Sequence, residues 1–201
     1  MTARRAHRLI AFTLGTFIAI HLANHVALII SPEAHHWVMT KLRLIYRPII
    51  VETILIALFA LQIGIGIAMI KRRPWPRTRW GRAQAVSGII LALFLIQHVV
   101  AAIATRVFQT YIDTDVYWAA SVVSMSPVSW YFIPYYLLGC ISLFVHIAAA
   151  LRHKRRQFAP WIIGAGVVFS VTIVAFLVLT VTLPPPYNQY LNVMYGLTPT
   201  Q

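Results

Sequence analysis

Two histidines lie deep within apolar stretches of the sequence, and they reach the same depth if those stretches cross a membrane. His21 lies 12 residues after Leu9 and His98 lies 15 residues after Ala83, roughly 18 to 22 Å from one edge at about 1.5 Å per helical residue. A neutral imidazole in hydrocarbon needs a polar partner. Two imidazoles on facing helices can supply both axial nitrogens of a b-type haem iron, and we expect His21 and His98 to do so. The alternative is that each histidine donates a hydrogen bond across a helix interface.

An internal repeat supports the pairing of these two histidines. The segment RRAHRLIAFTLGTFIAIHLANH at 4–25 aligns with RAQAVSGIILALFLIQH at 82–98 at an offset of 77 residues. The alignment places Leu14 on Leu91, Phe17 on Phe94 and His21 on His98. In each copy a polar residue, His7 or Gln84, precedes the deep histidine by 14 residues, which is close to four helical turns. The polar residue and the deep histidine therefore share one helix face in both copies.

A weaker repeat links the second and fourth apolar stretches. QIGIGIAMIKRR from Gln62 resembles HIAAALRHKRR from His146, and the two residues lie about 12 and 8 Å from the same edge. We therefore interpret helices one to four as two helical hairpins of related sequence around haem. Because a glutamine amide is a poor ligand for haem iron, we expect one haem b, and a second only with unusual ligation. For His146, ligation of a second haem and a hydrogen bond between helices both stay open.

Composition indicates an all-α integral membrane protein. Hydrophobic residues make up 60% and charged residues 10% of the 201 positions, and the mean hydropathy is +0.75, unlike a soluble domain. About 20 apolar residues cross a bilayer core, and five stretches are long enough: 9–30, 49–70, 83–104, 131–151 and 161–183. We predict a five-transmembrane-helix bundle as one domain over 1–183. The tail at 184–201 is too polar and proline-rich to span a membrane and is expected to be extended.

Basic residues are distributed unevenly between the two ends of the predicted bundle. Thirteen of the 17 lysines and arginines flank the N-terminus and the loops at 71–82 and 152–156. The positive-inside rule therefore predicts a cytoplasmic N-terminus, a C-terminus outside and a multi-pass protein of the inner (cytoplasmic) membrane. The net charge of +13 is mostly a topology signal, so binding of nucleic acid is not expected. Cys140 is the one cysteine, so no disulfide framework is expected either.

With these residues, the chain resembles the cytochrome b membrane-anchor subunits of succinate dehydrogenases and fumarate reductases, in their single-chain, five-helix form. The resemblance covers about the first 155 residues and rests on the segments at 4–25 and 82–98 and on YRPIIVE at 46–52. In members with two haems, histidines of helices one and three hold one haem, and those of helices two and four hold the other. The resemblance implies that His21 and His98 hold the outer haem. It assigns His146 to the inner haem, with Gln62 in place of its partner.

The resemblance also implies that the chain belongs to a larger electron-transfer complex. A flavoprotein and an iron–sulfur subunit would bind its cytoplasmic face and exchange electrons with membrane quinone through its haem. The basic loops KRRPWPRTRWGR and RHKRR fit such a face, although topology and attraction to anionic membrane lipid explain them equally well. The chain has four acidic residues and no nucleotide-binding glycine motif, so no dicarboxylate active site is expected in it.

Two groups of polar residues are candidates for a quinone site. At the outer end, Asn24, His25 and Glu52 flank the expected haem, and His25 is expected to hydrogen-bond a quinone or a haem propionate. Glu52 either accepts a proton during quinone chemistry or faces loop water. We favour this outer group because it adjoins the expected haem. The inner candidates lie at the starts of helices one and three: His7, Arg8, Gln84 and Ser87.

Two other functions fit the same sequence. A membrane receptor or anchor of this fold would sense the redox state of quinone and signal to a separate cytoplasmic protein. A haem-free transporter or structural membrane protein would use its histidines only for hydrogen bonds between helices. A reduced-minus-oxidised difference spectrum separates the haem-free alternative, and the identity of a co-purifying partner separates the receptor.

Overall fold

The computed structural model describes residues 2–108, 113–152, 156–184 and 187. These residues form seven α-helices and no strand. The helices are α1 (Ala3–Val26), α2 (Pro32–Tyr46), α3 (Ile49–Lys71), α4 (Arg79–Phe108), α5 (Val116–Ser124), α6 (Ser129–Leu151) and α7 (Ala159–Leu179). Short 3₁₀ turns at Ala27–Ile29 and Arg156–Phe158 follow α1 and precede α7.

Five of these helices are long and apolar enough to cross a membrane, which confirms the prediction of a multi-pass, all-helical membrane protein. The candidate spans are Ala3–Ile29, Ile49–Lys71, Arg79–Thr105, Ser129–Leu151 and Arg156–Leu179. Large apolar side chains point outward along them, with Phe12 81% and Val168 68% exposed. A soluble protein rarely exposes so much contiguous apolar surface, whereas the acyl chains of a bilayer would cover it.

The ends of the first and last spans differ from the predicted limits. α1 begins at Ala3 rather than at residue 9, because the Thr2 side chain caps it by accepting a hydrogen bond from the Arg5 backbone N–H. α7 ends at Leu179 rather than at residue 183. The predicted extended tail at 184–201 lies outside the described residues, apart from 184 and Tyr187. Tyr187 donates its hydroxyl proton to a carboxylate oxygen of Asp115 at 2.7 Å.

Small residues bring α4, α6 and α7 into close contact. A Cβ atom added to Gly139 of α6 would lie 2.1 Å from Cδ2 of Phe94 on α4. A Cβ atom added to Gly166 of α7 would lie 2.4 Å from Cβ of Phe144 on α6. Such distances are shorter than any real contact, so only glycine permits these helices to approach so closely.

Two short helices, α2 and α5, contact each other at one end of the bundle, which we call the α2 end. Ser31 caps α2 by accepting a hydrogen bond from the Ala34 N–H at 3.1 Å, and Pro32 occupies its first turn. Asp115 caps α5 by accepting from the Trp118 N–H at 3.0 Å. At the opposite end, the guanidinium of Arg152 lies 5.0 Å from the ring centre of Trp80. We call that end the loop end.

Arginines of α2 bind the segment that precedes α5. The guanidinium of Arg43 pairs with the carboxylate of Asp113 and donates to the Thr114 carbonyl oxygen at 2.8 Å. Arg47 lies 3.6 Å from the other carboxylate oxygen of Asp113. Burial alone would raise the pKa of Asp113, but the hydrogen bond and charge of Arg43, with the charge of Arg47, hold it below its ordinary value. These contacts give two basic residues of the α2 end a structural role.

We expect Arg43→Gln to lower the thermal unfolding midpoint of the protein in detergent. Its side chain is only 12% exposed, and its loss leaves a partly buried carboxylate with weaker pairing, at a cost of about 1–3 kcal/mol. Lys41→Gln is the matched control, because Lys41 is an exposed cation on the same helix that contacts Trp37. Equal midpoints for the two variants would contradict the assigned role of Arg43.

Candidate functional site

A cavity of about 570 Å³ lies among the spans at the α2 end, with α2 along one side of it. This volume is within the usual range for ligand pockets, about 300 to 1,000 Å³. The sequence-predicted residues that line it are His21, Asn24, His25, Glu52 and His98. Most of the remaining lining is leucine, isoleucine, valine, alanine and phenylalanine. The structure therefore brings the deep histidines and the outer quinone candidates to one cavity.

His21 and His98 face each other across this cavity from α1 and α4. Their ring centroids are 6.0 Å apart, with the ring planes at 70°. Each imidazole stacks on the phenylalanine four residues before it in the same helix. The Phe17 and His21 centroids are 6.0 Å apart at 16°, and those of Phe94 and His98 are 5.3 Å apart at 17°. The two aligned segments of the sequence thus carry the same aromatic pair, as expected for side chains at i and i+4.

A chain of imidazoles forms the polar wall of the cavity. His21 Nε2 lies 3.4 Å from His25 Nε2, and His25 Nδ1 lies 3.3 Å from His35 Nε2. Asn24 Nδ2 also lies 3.1 Å from His35 Nε2. Since each contact needs one proton, a consistent assignment has His21 donating to His25, while His25 and Asn24 donate to His35. Asn24 Oδ1 and His35 Nδ1 are then left buried without a hydrogen-bond partner in the described part of the chain.

Hydrogen bonds from α6 hold the segment of α4 that carries His98. Tyr135 donates to the Phe94 carbonyl oxygen at 3.2 Å, and Tyr131 donates to Gln97 Oε1 at 2.5 Å. The Tyr135 ring also packs on Phe94, with centroids 4.8 Å apart. These contacts fix the position of Phe94, on which the His98 imidazole stacks.

The inner candidates lie nearer the loop end, and none of them lines this cavity. The Gln62 amide nitrogen donates to His7 Nε2 at 3.2 Å, which joins α3 to α1. His146 Nδ1 donates to the Gln84 carbonyl oxygen at 3.0 Å and lies 3.3 Å from the Ser87 hydroxyl, which joins α6 to α4. Arg8 is exposed. The structure thus separates the inner residues into two hydrogen-bonded sets, one on each pair of helices.

Sequence reasoning missed several polar residues of the cavity, including His35 and Arg43 of α2 and Tyr136 of α6. A local signal for α2 was present, because Ser31 followed by Pro32 is typical of a helix start. His35, Met39 and Arg43 then recur every four residues, which places them on one face. Nothing in that pattern indicates what the face contacts, so the structure was needed to place it beside the cavity.

His35 lies outside the candidate spans, and it should make folding sensitive to pH. Burial, followed by the charges of His36 and Arg43, lowers the pKa of His35 to about 4. In the unfolded chain His35 binds a proton as the pH falls through about 6.5, whereas in the folded protein it does so only near pH 4. The free energy of unfolding should therefore fall as the pH drops from about 6.5 to 4. We therefore expect His35→Gln to reduce the loss of thermal stability between pH 7.5 and pH 5. His36→Gln removes an exposed neighbour whose charge is a smaller cause of the low pKa than burial, so its effect should be smaller. An equal reduction in that variant would contradict the assignment to His35.

Within the described residues, no group of three or more His, Cys, Asp or Glu side chains is arranged to hold a metal ion. A haem iron takes only its axial ligands from the protein, so a pair of histidines is the relevant arrangement for that cofactor.

Compared with known proteins, the chain matches no family model, no curated protein and no solved structure.

Proposed function

We propose that this protein is a haem b membrane anchor that passes electrons between a cytoplasmic dehydrogenase and membrane quinone. The dehydrogenase would consist of flavoprotein and iron–sulfur subunits, as in succinate dehydrogenases and fumarate reductases. The single observation that carries the proposal is the pair of facing imidazoles, His21 and His98, whose centroids are 6.0 Å apart beside a largely apolar cavity.

The residues of the cavity fit a haem. His21 and His98 would hold the iron, and the aliphatic walls suit a porphyrin. Haem b bound here would supply one-electron redox chemistry. Binding of iron by His21 Nε2 would replace its 3.4 Å contact with His25 Nε2. A ring nitrogen that donates a proton in a hydrogen bond has no lone pair free for a metal. Phe17 and Phe94 limit rotation of the two imidazoles by stacking on them.

One haem, rather than two, is favoured by the contacts near the loop end. The Gln62 amide donates to His7, so it already has a hydrogen-bond partner that suits its chemistry. His146 donates its Nδ1 proton to the Gln84 carbonyl oxygen, which leaves Nε2 as its only nitrogen for a ligand. The repeat places Gln62, and not a histidine, at the position that corresponds to His146. His146 would therefore lack a histidine at that position as a second iron ligand.

The quinone is proposed to bind at the α2 end of the same cavity. Asn24, His25 and Glu52 line it together with the proposed iron ligands, whereas none of the inner candidates His7, Arg8, Gln84 and Ser87 does. Quinone carbonyl oxygens accept hydrogen bonds. Asn24 has a second amide proton to donate, and His25 could donate through Nε2 in the tautomer that carries its proton there. Glu52 lies in the first turn of α3 and is suited to accept a proton released during quinol oxidation.

The membrane orientation is proposed from the positive-inside rule, with the loop end in the cytoplasm. The basic residues of the 71–82 loop are exposed: Lys71, Arg72, Arg73, Arg77, Arg79 and Arg82. They offer a surface to soluble partner subunits or to anionic lipid headgroups. At the α2 end, by contrast, the charges of Arg43 and Arg47 are paired with Asp113.

A reduced-minus-oxidised difference spectrum of the purified protein tests the proposal. The expected result is a b-type spectrum, with a low-spin signal of bis-histidine ligation in electron paramagnetic resonance. Co-purification of a flavin- and iron–sulfur-containing partner would support electron transfer, whereas a cyclase or kinase partner would support the redox-sensing receptor instead.

A haem-free membrane protein is the second candidate, and one observation favours it. The contacts among His21, His25, His35 and Asn24 give each of these imidazoles a hydrogen-bond partner without any cofactor. The contacts of His35 with His25 and Asn24 join α1 to α2, and hydrogen bonds between helices are an ordinary role of polar side chains in membranes. Protein that is folded after expression with sufficient haem, yet shows no b-type spectrum, would establish this candidate and overturn the proposal.

A further inference from the structure

α2 lies between two candidate spans, and one edge of it faces the protein. His35, Met39 and Arg43 recur every four residues along this edge, and they line the cavity together with Tyr46. His35 and Met39 are only 3% and 5% exposed. The edge is therefore fully occupied by contacts within the chain.

A second edge of α2 carries large apolar side chains that are mostly exposed. Trp37, Leu44 and Ile45 are 65%, 72% and 69% exposed, and at about 100° per residue they fall within roughly one third of the helix circumference. The chain segments just before and just after the helix also carry exposed apolar residues. Those residues are Ile29 and Ile30 before it, and Ile49 and Ile50 after it. Ile29 ends the first candidate span and Ile49 begins the second.

A third edge is polar and exposed. It carries Glu33, His36 and Thr40, and these residues line a surface cleft together with Trp37, Lys41 and, from α5, Tyr117. Lys41 lies within the apolar edge, about 40° from Trp37 at 100° per residue, and its ammonium is 5.8 Å from the ring centre of Trp37. A lysine in that position can extend its charged end from an apolar surface toward water.

We propose that α2 is an interfacial helix that binds the surface of the lipid bilayer through its Trp37, Leu44 and Ile45 edge. Its polar edge faces water, and its third edge remains beside the cavity. Lipid is the occupant because exposed apolar residues at the ends of two candidate spans, Ile29 and Ile49, flank the helix along the chain. Tryptophan and lysine are also the residues that anchor helices at the membrane–water boundary. This proposal stands on the membrane spans alone and does not depend on haem or quinone.

Spin labelling tests the proposal. In a Cys140→Ser background, single cysteines are introduced as His36→Cys, Thr40→Cys, Leu44→Cys and Ile45→Cys, and the labelled full-length protein is reconstituted into phosphatidylcholine–phosphatidylglycerol vesicles. Labels at 44 and 45 should collide several-fold more with oxygen than with a water-soluble nickel chelate, and labels at 36 and 40 should show the reverse. Equal access of the nickel chelate at all four positions would overturn the proposal. So would protection of 44 and 45 from both reagents, which would indicate a protein contact.

A second measurement keeps the proposal testable if the labelled variants do not fold. Brominated phospholipid should quench a larger share of the tryptophan fluorescence in the unmodified protein than in Trp37→Phe. Trp118→Phe is the comparison, because Trp118 belongs to α5 and its indole nitrogen is buried. If Trp37→Phe leaves the quenchable share unchanged, Trp37 does not contact lipid and the proposal is wrong.

Discussion

His98→Ala should abolish the b-type spectrum of the purified protein. His98 is one of the two imidazoles that face each other across the cavity, and alanine offers no nitrogen to the iron. We expect haem content to fall by about tenfold or more, because loss of a direct ligand should exceed the 10- to 100-fold effects known for residues that merely support one. Haem would be measured per mole of protein by the pyridine haemochrome method.

Two histidine variants serve as controls for this experiment. His36→Ala changes an exposed imidazole of α2 and should leave haem content unchanged. His146→Ala removes a hydrogen bond to the Gln84 carbonyl oxygen and should also retain the spectrum, since one haem is proposed. A normal spectrum in folded His98→Ala would show that this residue is not a ligand. Loss of all haem in folded His146→Ala would move the haem to the loop end.

Gly139→Ala should destabilise the bundle and disturb the site together. The new methyl group would lie 2.1 Å from Cδ2 and 2.4 Å from Cγ of Phe94, and the near atoms of a packed ring cannot move aside as a flexible chain end can. Phe94 is also held by Tyr135, so α6 must shift away from α4. Such overpacking typically costs about 1–3 kcal/mol, which should appear as a lower thermal midpoint.

The same substitution has a second expected readout at His98. Because Phe94 stacks on His98, a displaced ring should alter the orientation of the imidazole and shift the haem spectrum or its midpoint potential. Gly164→Ala is the matched control, since a Cβ there has no other atom within 4 Å. If Gly139→Ala and Gly164→Ala have the same stability and spectrum, then close packing at Gly139 does not support the site.

Much of the candidate site follows from helical geometry. Asn24 and His25 are three and four residues after His21, so any helix places them beside it. Glu52 begins the next span, so a hairpin of two antiparallel helices returns it to the same end of the bundle. Counting residues from the ends of the spans likewise gave His21 and His98 one depth. In each case the relative position of the residues depends only on the rise per residue, the number of residues per turn and the direction of each helix. The apolar stretches of the sequence specify where those helices lie.

The interhelical contacts could not be obtained in this way. The repeat suggested Gln62 and His146 as counterparts, whereas the Gln62 amide donates to His7 and His146 bonds to Gln84 and Ser87. Which neighbour a polar side chain meets depends on how the helices rotate and how closely they approach. The close approach of α4, α6 and α7 depends on Gly139 and Gly166, which pack against phenylalanine side chains. A repeat alignment contains no information about such packing.

The sequence by itself determined that five helices are long and apolar enough to cross a membrane and predicted one depth for two histidines, because length, hydropathy and the 1.5 Å rise are properties of single segments. Tertiary structure alone decided that α2 lies beside the cavity and brings His35 and Arg43 to it. The contacts of Arg43 with Asp113 and Thr114 join residues 70 and 71 positions apart. Contacts at such separation arise only when the whole chain packs, and no local pattern specifies them.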